Sequence, residues 1–269
     1  MMQLLFIKLG GSILTDKTQP EMLSTATLQS TAATIATAMR AVPEQRILIG
    51  HGGGSFGHYW AEKYGTQHGV TTREGWQGVA RVADAMGRLN RAVVDALLTA
   101  GLDAVGVQPM ASAVAVGGVL QQLETKPIAT LLAAGIVPVV HGDVVLDERQ
   151  GAAIVSTEAL FSYLALQLQP QRIVLVGEAG VFTADPRRDP QAVRITQITA
   201  ANIETVLEQT GVSHGTDVTG GMATKVQHMW SLVQAVPGLE VQLVGSDPVA
   251  LQYVLRGEPV AEGTTIRAS

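Results

Sequence analysis

The sequence predicts an α/β fold, a three-layer αβα sandwich around a mostly parallel central sheet. Short apolar runs alternate along the chain with longer segments of helical spacing. Right-handed crossovers convert that order into a parallel sheet. Runs such as Ile173–Val176 are apolar without interruption, as strands covered on both faces are. Several runs end directly in glycines, which places turns at strand ends, where ligands collect in such sheets.

Taken in order, Leu4–Leu9 is a short apolar strand that stops at Gly10-Gly11. Leu23–Met39 is rich in alanine and threonine and has helical spacing. Arg46–Ile49 is a second strand, followed by a glycine cluster over Gly50–Gly57. Gly75–Ala100 is a long helix with Val79, Val82, Met86, Leu89, Val93 and Leu97 on its apolar face, and Gly101 is its stop signal. Ala104–Val107 and Ile136–Val140 are further buried strands. Pro138 blurs the edge of the second, because proline has no N–H for a ladder. Thr157–Leu168 is helical, Arg172–Val176 is a strand before another glycine turn, and Ala200–Gln209 and Met222–Val236 are helices. Leu239–Val244 is a late strand, and no repeat, low-complexity tract or flexible linker separates these elements.

The chain has 269 residues, 46% of them hydrophobic and 15% charged, values that suit one large globular domain with a sizeable core. Its net charge is −5 without a basic run, so nucleic acid is not an expected partner. There are no cysteines, which excludes disulfides, thiolate nucleophiles and cysteine-type zinc sites and fits a cytoplasmic setting. The opening residues MMQLLFIKLGGSILTD are interrupted by Lys8 and read as a first strand, not as a signal peptide. No uninterrupted apolar stretch reaches the length of a membrane span.

The chemistry-bearing motifs lie at the strand ends. Lys8-Leu9-Gly10-Gly11-Ser12 follows the first strand. Glycines let backbone amides approach an anion, and Lys8 can bring a positive charge to a phosphoryl group. Alone, the segment also reads as an ordinary turn with a solvated lysine, and Lys17 as a surface residue unless its loop folds back. His51-Gly52-Gly53-Gly54-Ser55-Phe56-Gly57-His58 follows the second strand. So many glycines lose packing and backbone entropy, which makes sense where amides cradle a phosphate. It is not a Walker A sequence. His58 suits a hydrogen bond to a phosphate oxygen, whereas His51 reads as structural. His141-Gly142-Asp143 ends another strand, with Asp143 open to a capping or a functional role. In Gly177–Pro186, Gly180 permits a tight turn and Asp185 closes the loop. In Asp217–Lys225 a glycine pair, Gly220-Gly221, precedes a helix whose first turns hold Lys225. A lysine there opposes the helix dipole unless an anion is also held. Pooled, these motifs read as phosphate handling. No nucleophile elbow and no HExxH helix competes.

KLGGS at Lys8–Ser12, HGGGSFGH at His51–His58, HGD at His141–Asp143, DVTGGMATKV at Asp217–Val226 and GT at Gly263-Thr264 occur in that order. Over essentially the whole chain this resembles the amino acid kinase superfamily. The narrower GGGSFGH stretch resembles its isopentenyl phosphate kinase branch and, more distantly, fosfomycin kinase. The resemblance implies a homodimer of single-domain chains, 1–269. Approximately 1–170 would be the phosphoacceptor-binding lobe and 171–269 the nucleotide-binding lobe. It also implies transfer of the ATP γ-phosphate to isopentenyl phosphate, with Mg²⁺ and no protein metal ligands. Lys8, Gly10, Gly11 and Ser12 would hold ATP phosphates, and Lys17 would stabilise the transferring group. Gly53 and Gly54 would contact acceptor and ATP through amides. His58 and the Gly142 backbone would bind the acceptor phosphate. Gly177, Gly180, Phe182, Asp185, Gly220, Gly221 and Lys225 would hold the nucleotide. Met86 is the candidate for the apolar pocket that takes the isoprenoid tail, since methionine adapts to irregular shapes. Two positions depart from the family pattern. Ser156-Thr157-Glu158 stands where Ser-Gly-Asp is common, and Gly177 stands where an aspartate is. The rival readings are a kinase of fosfomycin, of another alkyl phosphate or phosphonate, or of an amino acid, and a non-catalytic nucleotide-binding regulator of the same fold.

Overall fold

The structure is a computed structural model that describes residues 3–16, 18–211 and 221–268, the side chain of Ser12 excepted. Lys17 and Gly220 therefore lie outside the described residues. The chain runs through β1 (Gln3–Leu9), a one-turn helix α1 (Gly11–Leu14), a hairpin of β2 (Thr15–Asp16) and β3 (Met22–Leu23), and α2 (Thr25–Ala41). It continues with β4 (Gln45–His51), α3 (Gly54–Tyr64), α4 (Arg73–Thr99) and β5 (Ala104–Gly106). The next stretch holds β6 (Ala113–Val116), β7 (Val119–Leu123), α5 (Lys126–Ala133), β8 (Val137–His141), β9 (Asp143–Asp147) and β10 (Gly151–Val155). Then come α6 (Thr157–Leu168), β11 (Arg172–Val176), β12 (Val181–Phe182), β13 (Arg194–Ile195) and β14 (Gln197–Ile198). The chain closes with α7 (Ile203–Gly211), α8 (Gly221–Ala235), β15 (Glu240–Val244), α9 (Pro248–Arg256) and β16 (Thr264–Arg267).

The main sheet has eight strands in the order β14-β16-β15-β11-β1-β4-β8-β5. Its described pairings are parallel except β15 with β16. The expected mostly parallel sheet is what the chain builds. β1 shows why it takes three layers. Leu4 and Phe6 join one buried cluster with Phe161 of α6 and Met229 of α8. Leu5, Ile7 and Leu9 join another with Ile35 of α2, Leu97 of α4 and Leu251 of α9. Successive side chains of a strand point to opposite faces, and each such buried side chain contributes about 1.5–3 kcal/mol. An apolar strand thus requires a cover on each side.

The structure differs from the sequence expectation in places. Leu23 pairs with Thr15 in the short hairpin, so α2 starts at Thr25. The glycine cluster does not stay a loop, because α3 begins at Gly54 inside it. Pro138 sits within β8 opposite Val105, and the β4 ladder begins at Val139, one residue beyond it. Residues 113–155 supply a second sheet, in the order β10-β9-β6-β7. Its Val144 and Ala152 pack with Met86 and Leu89 of α4 in a third cluster.

Candidate active site

The sheet register brings the glycine turns to one edge. Leu9 of β1 lies opposite His51 of β4 and Val176 of β11. His51 in turn lies opposite His141 of β8, and Val176 opposite Val244 of β15. The residues after these positions meet above a single row. The first amide of each turn is bonded to the neighbouring strand. Gly52 N–H donates to Leu9 O at 3.1 Å, Gly142 N–H to His51 O at 3.1 Å, Gly10 N–H to Val176 O at 3.0 Å and Gly177 N–H to Val244 O at 2.9 Å. The sequence reading offered the backbone of Gly10 to ATP phosphates, that of Gly142 to the acceptor phosphate, and the loop from Gly177 to the nucleotide. In the structure those particular N–H groups stitch the turns together, and the neighbouring glycines Gly11 and Gly54 supply room.

That room is needed where two turns touch. A Cβ on Gly11 would lie 2.6 Å from Gly54 N, and one on Gly54 would lie 2.0 Å from Thr15 Oγ1. Gly54 also has φ +48, a region side chains rarely occupy. At the mouth of α3, Ser55 N–H is taken by Thr15 Oγ1 at 3.0 Å. Phe56 and Gly57 N–H are both taken by Gly53 O at 3.1 Å. The amides of Gly53 and Gly54 precede them at the helix start, where no intrahelical acceptor exists. His58 lies exposed in the same helix. Beneath the turn is Met86, fully buried, its sulfur close enough that a Cβ on Gly57 would lie 2.9 Å away.

The lysines arrive paired with carboxylates. Lys8, at the end of β1, forms an ion pair with Glu158 in the first turn of α6. Lys225, in the first turns of α8, forms one with Glu178, just after β11. Glu158 feels both ammonium groups. Burial pushes its carboxyl up, but Lys8 and, further off, Lys225 outweigh that and hold it below the usual glutamate range. Glutamate in place of the family's aspartate therefore still reaches Lys8. The neighbouring departure also has a role. Thr157 Oγ1 donates to His51 O at 2.6 Å and accepts from Gly142 N–H at 3.0 Å, tying two turns together as a glycine could not.

The rest of the predicted set divides. Phe182 is half-buried in β12, and Gly180, at φ +128, lies against Thr264. Thr264 Oγ1 accepts from Val181 N–H at 2.7 Å and donates to Ile195 O at 2.6 Å, which ties down the loop that starts at Gly177. Asp185 uses its carboxylate within that loop, accepting from Arg187 N–H at 3.0 Å and Arg187 Nε at 3.1 Å. Gly221 opens α8 at φ +59. His51 is fully buried against Asn90 Oδ1 at 3.2 Å, the structural part expected of it. His141 stacks on it, with ring centroids 5.3 Å apart. Burial and the neighbouring His51 push His141 down to about 3. Asp143, also buried, is pushed up to about 7 by loss of solvent, which bonds from Met110 N–H, Val144 N–H and Gln108 only partly offset. Sequence reasoning missed Glu178, Thr157 and Asn90 as partners, since nothing local marks pairings this distant along the chain. Among the described residues no group of three or more His, Cys, Asp or Glu side chains could hold a metal ion, and no helix is long and apolar enough to cross a membrane.

A sheet edge that gathers lysines, carboxylates and apposed glycine turns has the chemistry of a phosphate-handling enzyme. The profile of the amino acid kinase family matches residues 3–243, and the chain belongs to that family. The isopentenyl phosphate kinase of Methanothermobacter thermautotrophicus is 33% identical over 272 residues, covering 98% of each chain. That of Haloferax volcanii is 37% identical over 266 residues, covering 96% of this chain and 100% of its own. A crystal structure described as an isopentenyl phosphate kinase superimposes with a TM-score of 0.82 at 30% identity, over 98% of this chain and 100% of the other.

Proposed function

We propose that the chain is an ATP-dependent kinase that phosphorylates isopentenyl phosphate to isopentenyl diphosphate by direct in-line transfer. The observation that carries this reading is the contact of Gly11 with Gly54. It sets the lysine-bearing turn and the turn leading to His58 backbone against backbone, so that a donor and an acceptor phosphate held by the two would face each other. The half up to about residue 170 takes the acceptor, and 171–269 takes the nucleotide.

The acceptor oxygen needs no general base, since the second pKa of a phosphate monoester is about 6. The work left to the protein is alignment and neutralisation of charge spread over the transferring group. Lys8 and Lys225 face the donor phosphates, Lys8 held by Glu158 and Lys225 by Glu178. His58 and the amides of Gly53 and Gly54 hold the acceptor phosphate, Lys17 meets the transferring group, and the cluster around Met86 takes the apolar tail. Glu158 and Glu178 are both ion-paired, and among the described residues no acidic or histidine cluster stands ready to cage Mg²⁺. The ion would arrive chelated by the nucleotide, where it neutralises phosphate charge. A homodimer in the cytoplasm completes the reading, resting on the family likeness and the absence of cysteine.

The test is a phosphorylation assay of the purified chain across alkyl monophosphates, fosfomycin and amino acids. Isopentenyl phosphate should be the preferred acceptor. His58→Ala should lower kcat/KM for it on the order of 10²–10³-fold while ATP still binds. Equal turnover by this variant, or preference for another acceptor, would refute the assignment.

A further inference from the structure

The short hairpin of β2 and β3 is fastened by a carboxylate that the site described above leaves out. Glu21 accepts two hydrogen bonds from one guanidinium, Arg88 Nη1 to Oε2 at 2.7 Å and Arg88 Nη2 to Oε1 at 2.9 Å. The indole N–H of Trp60 donates to Oε1 as well. The backbone joins in, with Glu21 N–H donating to Ser55 O at 3.3 Å. Glu21 is held at φ 54, a conformation that non-glycine residues keep only where their surroundings impose it. Its carboxylate therefore ties the hairpin to α3 through Trp60 and to α4 through Arg88, and its backbone N–H adds a tie to α3 at Ser55.

Those are the elements that carry the acceptor site. α3 begins at Gly54 and bears His58, and α4 bears Met86 two residues before Arg88. On the hairpin, Asp16 Oδ1 accepts from Thr18 N–H at 2.8 Å, and Lys17 stands between these two residues in the sequence. At its base, Thr15 Oγ1 donates to Gly11 O at 2.9 Å, so the same hairpin also leans on the nucleotide-side turn. An exposed ion pair alone contributes little to stability. A forked guanidinium and an indole converging on one carboxylate instead fix a geometry.

We infer that Glu21, clasped by Arg88 and Trp60, is a positioning latch that holds the β2–β3 hairpin, in whose sequence Lys17 falls, against α3 and α4 and so controls the rate of transfer. This rests on the kinase reading above. Glu21 acts through the hairpin and touches neither substrate.

The test measures kcat and both KM values for Glu21→Gln, Arg88→Ala and Lys17→Ala, and for Glu21→Gln combined with Lys17→Ala. If the latch works through residue 17, Glu21→Gln and Arg88→Ala each lower kcat about 10- to 100-fold and leave the KM for ATP within about twofold. In the Lys17→Ala background Glu21→Gln then has no further effect, the mark of residues acting as one unit. Trp60→Phe, which removes one donor and keeps the ring, gives a smaller loss of kcat and serves if a charge-removing variant fails to fold. Additive losses, or wild-type kcat in the latch variants, overturn the inference and leave the kinase assignment standing. Wild-type kcat in Lys17→Ala alone overturns both the latch and the role given to Lys17. Failure of the wild-type chain to phosphorylate isopentenyl phosphate removes the reading on which the latch rests.

Discussion

Asp143 follows the turn glycine Gly142 and carries its carboxyl where water does not reach. Its unfolded value is near 3.8 and its folded value near 7, so between these the native state holds a proton that the unfolded chain releases. This contribution to stability is complete below about pH 4 and is lost as pH rises toward 7. His51 and His141 slope the other way. Both are buried neutral, with His141 Nδ1 4.0 Å from Asp143 Oδ2. Their contribution is complete above the ordinary histidine value and falls away on acidification. Asp143→Asn removes one slope only. Urea unfolding at pH 5 and pH 8 should show the variant gaining about 2–3 kcal/mol on the wild type over that interval. An offset independent of pH would mean that Asp143 does not hold its proton. At this scale the sequence discloses residue types and hides partnerships. HGD marks Asp143 as a residue at a strand end, but only the fold brings Met110 N–H and Gln108 to it. The motif around Lys8 offers it as a candidate phosphate contact, while its pairing with Glu158 spans 150 positions.

At the scale of elements, the loop that starts at Gly177, proposed to hold the nucleotide, depends on one hydroxyl that is remote in sequence. Thr264, in β16, satisfies Val181 N–H and Ile195 O, one on each strand of the small β12–β13 pair. Gly263 before it has φ +86, and a Cβ there would lie 2.3 Å from Leu243 O, which accounts for the Gly-Thr pair in physical terms. Thr264→Val keeps the volume and leaves a buried N–H unpaired, at about 1–3 kcal/mol. The KM for ATP should rise on the order of tenfold, with kcat at saturating ATP little changed, and Thr264→Ser should restore it. An unchanged KM for ATP would detach this loop from the nucleotide. Strands such as Arg172–Val176 could be read from the sequence because a continuous branched apolar run fits few other states. β6 and β10 could not. They are built from Ala-Val-Ala-Val and Gly-Ala-Ala-Ile-Val, whose small residues have weak strand preference, and β6 finds its parallel partner β9 some thirty residues on. α9 carries its own start signal in Asp247-Pro248, with Asp247 Oδ1 accepting from Ala250 N–H at 2.9 Å, a local cue that apolar spacing alone passes over.

At the scale of the molecule, the strands drawn from before residue 170 (β1, β4, β8 and β5) lie side by side, and those from after it (β11, β15, β16 and β14) continue the same sheet. The seam is the five-residue register of β1 with β11, and the charged cluster straddles it. Lys8 and Glu158 come from one side, Lys225 and Glu178 from the other. Glu158 feels ammonium groups from both halves, and buried clusters also cross the seam, Phe6 and Phe161 packing with Met229 and Val241. Halves joined in this way should not melt separately. Nucleotide that binds only the native chain stabilises it by about 2.7 kcal/mol at a hundredfold excess over Kd. For a chain of this size that corresponds to about 5–10 °C in melting temperature. Calorimetry should show one transition that moves as a whole when ATP with Mg²⁺ is added, and moves again when a non-reactive alkyl phosphonate joins it. If ATP instead shifted only a part of a two-step melt, the halves would be independent units, and the crevice between them could not be the rigid meeting place that in-line transfer demands.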